Sequence, residues 1–296
     1  MRTPRLASVA AAAAVLSLLL SACGGDSGSD VAKVDENAKE QFAPGSRMKE
    51  LADAGKITVG TKFDQPLFGL KGLNGQPEGF DVEIAKLIAA KLGIDAKGIT
   101  FVETVSANRE PFLEQKKVDM VVATYTINDK RDMVVDFAGP YFSAGQDILV
   151  AKGNPKSVKG PEDLTGLKTC SVSGSTPAST IQTKYPQAEL VLFDNYTKCR
   201  DALGNGQVDA VTTDNVILSG YVDQAPDKFE LVGKPFTEEP YGIGLPEGQE
   251  AFCDFINKTL AEAQENGDYA KAFESTAGKV IKDTPKLPTP PRGCDK

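Results

Sequence analysis

Thr124, Thr126, Asn128 and Arg131 follow directly on the apolar run Met120-Val121-Val122. On an extended segment, side chains two residues apart face the same way, so Thr124 and Thr126 present two hydroxyls to one side. A guanidinium shortly beyond them, near the start of a short helix over Asp129–Val134, adds a bidentate donor and the free N–H groups of a helix start. That combination suits a small anion. Asp214, directly after the apolar strand Ala210–Thr213, stands where a buried carboxylate can meet a cation. Ser175 and Thr176 sit in the small polar loop Ser173-Gly174-Ser175-Thr176, ahead of a helix with Pro177 in its first turn. Gly174 there allows close backbone approach.

The composition narrows the chemistry. The chain has no histidine, which excludes Ser-His-Asp triads, imidazole acid–base catalysis and histidine metal sites. It has no tryptophan for a sugar-stacking platform, and no pair of cysteines has CxxC spacing. No cofactor and no metal are expected. Net charge is −8 with no basic tract, so a nucleic-acid partner is not expected either.

The elements that must hold these residues alternate between the two periods of regular structure. Ile57–Thr61, Ile99–Val102 and Val118–Thr124 read as strands. The segment Gly79-Phe80-Asp81-Val82-Glu83-Ile84 opens a broad-faced helix that Gly93 ends, and Arg109–Lys116 forms a shorter one. Gly69–Gln76 reads as a turn. A second series begins after Gly145, with strands at Asp147–Ala151, Thr169–Val172, Leu190–Phe193 and Ala210–Thr212 and helices at Pro177–Tyr185 and Tyr196–Gly204. Tyr241–Leu245 is a further strand, Glu250–Ala263 and Asp268–Phe273 are amphipathic helices, and the Pro-rich stretch from Asp283 to Lys296 is irregular. The fold class is α/β in two successive units.

At the N-terminus, Arg2 and Arg5 precede an apolar stretch, Leu6–Leu20, that is short for a membrane span. It ends in Leu20-Ser21-Ala22-Cys23, which resembles the lipobox of bacterial lipoproteins. The resemblance implies a signal peptide over 1–22 and lipidation of Cys23. Residues 23–50, rich in Gly, Ser, Ala and charge, read as a flexible tether. The remaining Cys170, Cys199, Cys253 and Cys294 allow three disulfide pairings in an exported chain.

In order along the chain, GFDVEI, VDMVVATYTINDKR, VVDFAGPYF, the SGST loop and GQVDAVTTD resemble the bacterial extracellular solute-binding proteins of the polar amino-acid class, the receptors of ABC importers. The likeness spans roughly Ile57–Phe273. It implies a two-lobed periplasmic-binding-protein-like fold (type II), with 51–142 plus 241–296 as lobe 1, 143–240 as lobe 2, and two hinge crossings near Tyr141–Gly145 and Pro235–Tyr241. It implies that Arg131, Thr124 and Thr126 take a ligand α-carboxylate with Ser175 and Thr176 of the other lobe, and that Asp214 takes the ammonium. Tyr196 matches a position that can reach the ligand, and Gln65 and Phe68 are candidates for the pocket wall. Lys62 and Arg109, with Ser106 assisting, match positions where receptors for acidic amino acids carry basic residues. Counting Lys62, Arg109 and Arg131 against Asp214, a glutamate complex leaves a formal sum of +1 and a glutamine complex +2. An unpaired buried charge costs about 3–5 kcal/mol, enough to set specificity. The expected ligand is therefore glutamate or aspartate, with a receptor for glutamine or another polar amino acid as the alternative. A bond across lobes would impede closure, so this architecture implies disulfides Cys170–Cys199 and Cys253–Cys294.

The expected partners are a membrane permease, the membrane itself through Cys23, and no second copy of the chain, so it is read as a monomer lipid-anchored outside the cytoplasm. Two rivals share the fold. A dehydratase would need an acid or base in the cleft, and Glu103 and Glu110 are near in sequence. However, an acid opening a helix at Glu110 is structurally useful in any protein, so no enzyme is expected. An amino-acid-sensing receptor acting through a membrane signalling partner is the other.

Overall fold

The computed structural model describes residues 33–282, 285–288 and 293–294. Residues 1–32, including Cys23 and the signal segment, lie outside them.

Residues with apolar periodicity build the layers. In chain order the strands are β1 Ile57–Thr61, β2 Asp64–Gln65, β3 Gly69–Lys71, β4 Pro77–Glu78, β5 Ile99–Glu103, β6 Met120–Thr126, β7 Asp136–Ala144, β8 Gln146–Ala151, β9 Lys168–Val172, β10 Glu189–Phe193, β11 Ala210–Asp214, β12 Phe229–Leu231 and β13 Glu239–Leu245. The helices are α1 Ala38–Gln41, α2 Arg47–Ala54, α3 Phe80–Lys91, α4 Arg109–Glu114, α5 Asp129–Asp132, α6 Thr176–Lys184, α7 Tyr196–Gly204, α8 Asn215–Gln224, α9 Glu250–Asn266 and α10 Asp268–Ser275.

Two five-stranded sheets result. The first has the order β5-β1-β6-β13-β7, and the second β10-β9-β11-β8-β12. In the first, β1 is parallel to β5 and β6, and β13 runs antiparallel to β6 and β7. In the second, β11 is parallel to β9 and antiparallel to β8. Each sheet forms the middle of one lobe. Two segments pass between them, from β7 to β8 and from β12 to β13. The crossing strands pair with each other, Glu239 opposite Ala144. That pairing carries β7 to Ala144 and starts β13 at Glu239, each two residues beyond the lobe edges expected at 142 and 241.

Two expectations need correction. The segment 69–76 is more than a turn: β2, β3 and β4 form a small three-stranded sheet. The 23–50 tether is not free over its described part. Ser46 caps α2 by accepting from the Lys49 N–H, Ala38 is fully buried, Asp35 N–H donates to Ala90 O, and the Phe42 ring meets Phe255 edge-on at 5.4 Å. Composition hid this because only a few widely spaced apolar residues anchor the segment.

Helix α3 is tied to the first sheet through its first turn. Gly79 has φ +136°, and a Cβ there would lie 2.3 Å from Phe68 O, so only glycine fits. The helix thereby buries Asp81, whose carboxylate accepts from Tyr141 Oη (2.5 Å) and Thr124 N–H (2.7 Å). Burial pushes this carboxyl up to about 7, opposed by the Tyr141 and Thr124 hydrogen bonds. Phe68, expected at the pocket wall, instead packs edge-on against Phe80, Phe142 and Tyr241 and is fully buried. Disulfides join Cys170 to Cys199 and Cys253 to Cys294, as the two-lobe architecture implies. No helix among the described residues is long and apolar enough to cross a membrane.

Candidate functional site

Strand ends from both sheets converge on one cavity. Arg109, Thr124 and Thr126 line it from the first lobe, and Ser175, Thr176 and Asp214 from the second. Gln65, Ser106 and Tyr196 line it too. The free space between them is only about 10 Å³, room for about one water molecule. The lobes are closed, and an amino acid enters only if they part.

Arg131 is more committed than its sequence context suggests. Its Nε donates to Glu110 Oε1 at 3.0 Å, its Nη1 to Thr126 O at 2.6 Å, and its Nη2 across the cleft to Gly174 O at 3.0 Å. The expected helix-start N–H is also occupied, because Asn128 Oδ1 accepts from Arg131 N–H and caps the four-residue α5. Arg131 does not itself line the cavity but reaches it through Thr126, and two of its five N–H groups have no partner among the described residues. Lys130 beside it is exposed.

Arg109 reaches the cavity directly. It donates to Ser106 O, Ala123 O, Thr124 O and Gly174 O, and its guanidinium lies 4.3 Å from the Tyr125 ring centre. Lys62 stands one shell back, its Nζ on Ser106 Oγ at 2.9 Å. Both cations are buried, at 2% and 3% exposure, and neither has a carboxylate at ion-pair distance among the described residues. Burial and then the charge of Arg109 pull the Lys62 amine down to about 7.

Asp214 ends β11 and opens α8 without capping it. Its Oδ2 accepts from Tyr241 Oη at 2.5 Å, while the buried Oδ1 has no hydrogen-bond partner among the described residues. A buried acceptor left open calls for a donor. Burial, followed by the nearby Glu239, pushes this carboxyl up to about 7.

The hydroxyls divide by role. Thr126 Oγ1 and Thr176 Oγ1 meet across the cleft at 3.3 Å. Thr124, at φ +42°, kinks β6 and donates to Gln65 Oε1. Ser175 lines the cavity, but its hydroxyl donates to Val172 O and accepts from Ala178 N–H as the cap of α6. Its side chain is spent on the helix, and the expected ligand contact there falls to Thr176 and the α6 backbone. Burial pushes the Tyr196 phenol up to about 12.

Three carboxylates have partners that the sequence did not reveal. Glu110 pairs with Arg131, Glu239 accepts from Thr176 Oγ1 at 2.7 Å and Thr237 Oγ1 at 2.8 Å, and Asp81 holds Thr124. The simple sum over three cations and Asp214 is therefore incomplete: Glu110 already neutralises Arg131. Glu103 is exposed. Each missed acid finds its partner far along the chain, where no local spacing signals it.

The chain is 41% identical over 270 residues to the ABC transporter glutamine-binding protein GlnH of Bacillus subtilis (strain 168), covering 90% of this chain and 94% of that one. It is 35% identical over 285 residues to the glutamate-binding protein GluB of Corynebacterium efficiens, covering 93% and 91%. An ancestral arginine-binding protein bound to glutamine superposes with TM-score 0.70 at 38% identity, over 75% of this chain and 97% of that one. The model of the bacterial extracellular solute-binding proteins, family 3, matches residues 57–279. With its two lobes and the cleft between them, the chain belongs to that family.

Proposed function

We propose that this substrate-binding protein of an ABC amino-acid importer takes an acidic amino acid, glutamate or aspartate, and delivers it to a membrane permease while held to the membrane through Cys23. The observation that carries the acidic ligand is the pair Lys62 and Arg109: two buried cations whose hydrogen bonds go to a hydroxyl and to carbonyls, with no carboxylate at ion-pair distance among the described residues. A side-chain carboxylate supplies the missing partner, and breaking a buried pair costs about 3–5 kcal/mol. The α-ammonium goes to the open Oδ1 of Asp214, and the α-carboxylate to Arg131, Thr126 and Thr176. Closing bonds from both lobes then favour the shut form.

A glutamine ligand is the second reading, and one observation favours it. An amine pulled down to about 7 is half neutral at neutral pH and can serve a carboxamide. Binding without chemistry fits the cleft, since Glu110 is engaged by Arg131 rather than poised as an acid or base. Calorimetric titration with L-glutamate, L-aspartate, L-glutamine and L-asparagine decides between the readings. Tight binding of the acidic pair alone supports the first; preference for glutamine replaces it with the second.

A further inference from the structure

The lobes meet at a second place, outside the ligand cavity. Asp64, in β2 of the first lobe, offers both its carboxylate and its carbonyl to the second lobe. Its Oδ2 accepts from the backbone N–H of Tyr196, the first residue of α7, at 2.8 Å. Its carbonyl oxygen accepts from Tyr221 Oη at 2.7 Å and from Thr197 Oγ1 at 3.2 Å. The N–H groups of a first helical turn lack intrahelical acceptors, and the helix dipole favours negative charge there. Asn195 of the same lobe already takes the Lys198 N–H. The start of α7 is thus capped twice, once from each lobe. Alongside, Pro66 packs against Gly220 of α8, where a Cβ would lie 2.8 Å from Pro66 Cβ and 2.9 Å from Pro66 O.

We infer that Asp64 is a closure latch: a positioning residue that holds the lobes shut around a bound amino acid without touching it. Asp64 is absent from the cavity lining, as Lys62 and Arg131 are, but its carboxylate is already taken up by the first N–H of α7. Its three bonds join separate rigid units, so they exist only while the lobes are together. Interactions confined to one state shift the equilibrium toward that state. Their loss should therefore appear in how fast ligand leaves. The inference rests on the family's two-lobed closure and is independent of which amino acid binds.

The test compares the wild type with Asp64→Ala, Asp64→Asn and Gly220→Ala. Stopped-flow dissociation of L-glutamate and L-glutamine is measured, with small-angle scattering of each protein. Asp64→Ala should speed dissociation about tenfold, the weight of one charge-assisted hydrogen bond. Association should change little. Asp64→Asn keeps an acceptor and should lose less. Gly220→Ala improves helix propensity in α8 but sets a Cβ 2.9 Å from Pro66 O, so a faster release there reports a strained seam between the lobes with every Asp64 group intact.

Asp64 also lies near enough to raise the Lys62 amine. An effect routed through Lys62 would differ between glutamate and glutamine, whereas a latch affects both alike. Unchanged dissociation of the bound amino acid in Asp64→Ala and Gly220→Ala overturns the latch, as does an effect on only one of two amino acids that the wild type binds. If the wild type binds neither amino acid, the proposed ligand fails. The latch is then judged by scattering alone: a larger radius of gyration in both variants supports it, and an unchanged one overturns it.

Discussion

Arg131 of the first lobe donates to the carbonyl of Gly174 in the second at 3.0 Å. Gly174 has φ +78°, and a Cβ there would lie 2.7 Å from Ala107 Cα across the cleft. This backbone approach places the guanidinium at the seam between the lobes. Arg131→Ala should weaken amino-acid binding by about a hundredfold or more, as removal of one partner of a buried charged pair does. Arg131→Lys should rescue little, because an ammonium lacks the planar fork. Gly174→Ala should weaken binding by holding the lobes apart, and at φ +78° it should also lower the melting temperature of the ligand-free protein. Calorimetry and thermal melts on the three variants check both.

The pH dependence of binding separates the two candidate ligands. Asp214 sits near 7 when unliganded, so meeting an ammonium below that pH requires it to lose a proton. Affinity for either amino acid should therefore fall on the acid side, by at most about tenfold per pH unit. Lys62, also near 7, must gain a proton to meet a carboxylate above that pH. Glutamate affinity should thus peak near neutrality and fall again on the alkaline side, while glutamine affinity should rise and level off. Titrations between pH 5 and pH 9 in buffers of different ionisation enthalpy would show the protons directly.

Stability of the ligand-free protein should respond to the same groups. Asp81 and Asp214 are raised from about 4 to about 7, so the folded chain holds protons that the unfolded chain has lost. Their cost is absent below about pH 4, grows as pH rises, and is complete above about pH 7. Lys62 acts over the next interval. Its folded amine loses its proton near 7 while the unfolded one keeps it to about 10.5, so its cost is relieved as pH rises from 7. Asp214→Asn, which keeps an acceptor for Tyr241, should raise the melting temperature more at pH 8 than at pH 4, by a few degrees. Scanning calorimetry across that range measures it.

The disulfides should separate stability from binding. Cys253–Cys294 closes a loop of 41 residues far from the cleft, worth about 4 kcal/mol by loop entropy. Cys253→Ala with Cys294→Ala should lower the urea midpoint and leave ligand dissociation unchanged. Cys170–Cys199 instead fastens α7 to β9. Its removal should loosen the helix start that receives Asp64 and speed dissociation as well.

The layers, the family and the principal charges were legible in the sequence because each rests on local order. A continuous apolar run announces β6, a broad apolar face announces α3, and the spacing from Thr124 to Arg131 survives as one stretch of strand, cap and helix. Asp81 was hidden within an apolar helix face, and its partners Tyr141 and Thr124 lie over forty residues away. Glu110 looked like an ordinary helix-opening acid until folding brought Arg131 to it. Ser175 lines the cavity as expected, but its duty as the α6 cap was not separated from that role in the sequence. Asp64 offered no signal, since a latch is a relation between two lobes.

The strand order of the first sheet has a consequence for synthesis. β13 lies between β6 and β7, yet it is made last, after the whole of the second lobe. The second lobe is one unbroken stretch of chain and can assemble as soon as β12 has been made. The first cannot complete its hydrogen-bonded ladder until residues 239–245 arrive to fill the gap. Part of the molecule therefore stays unfinished until translation is nearly over.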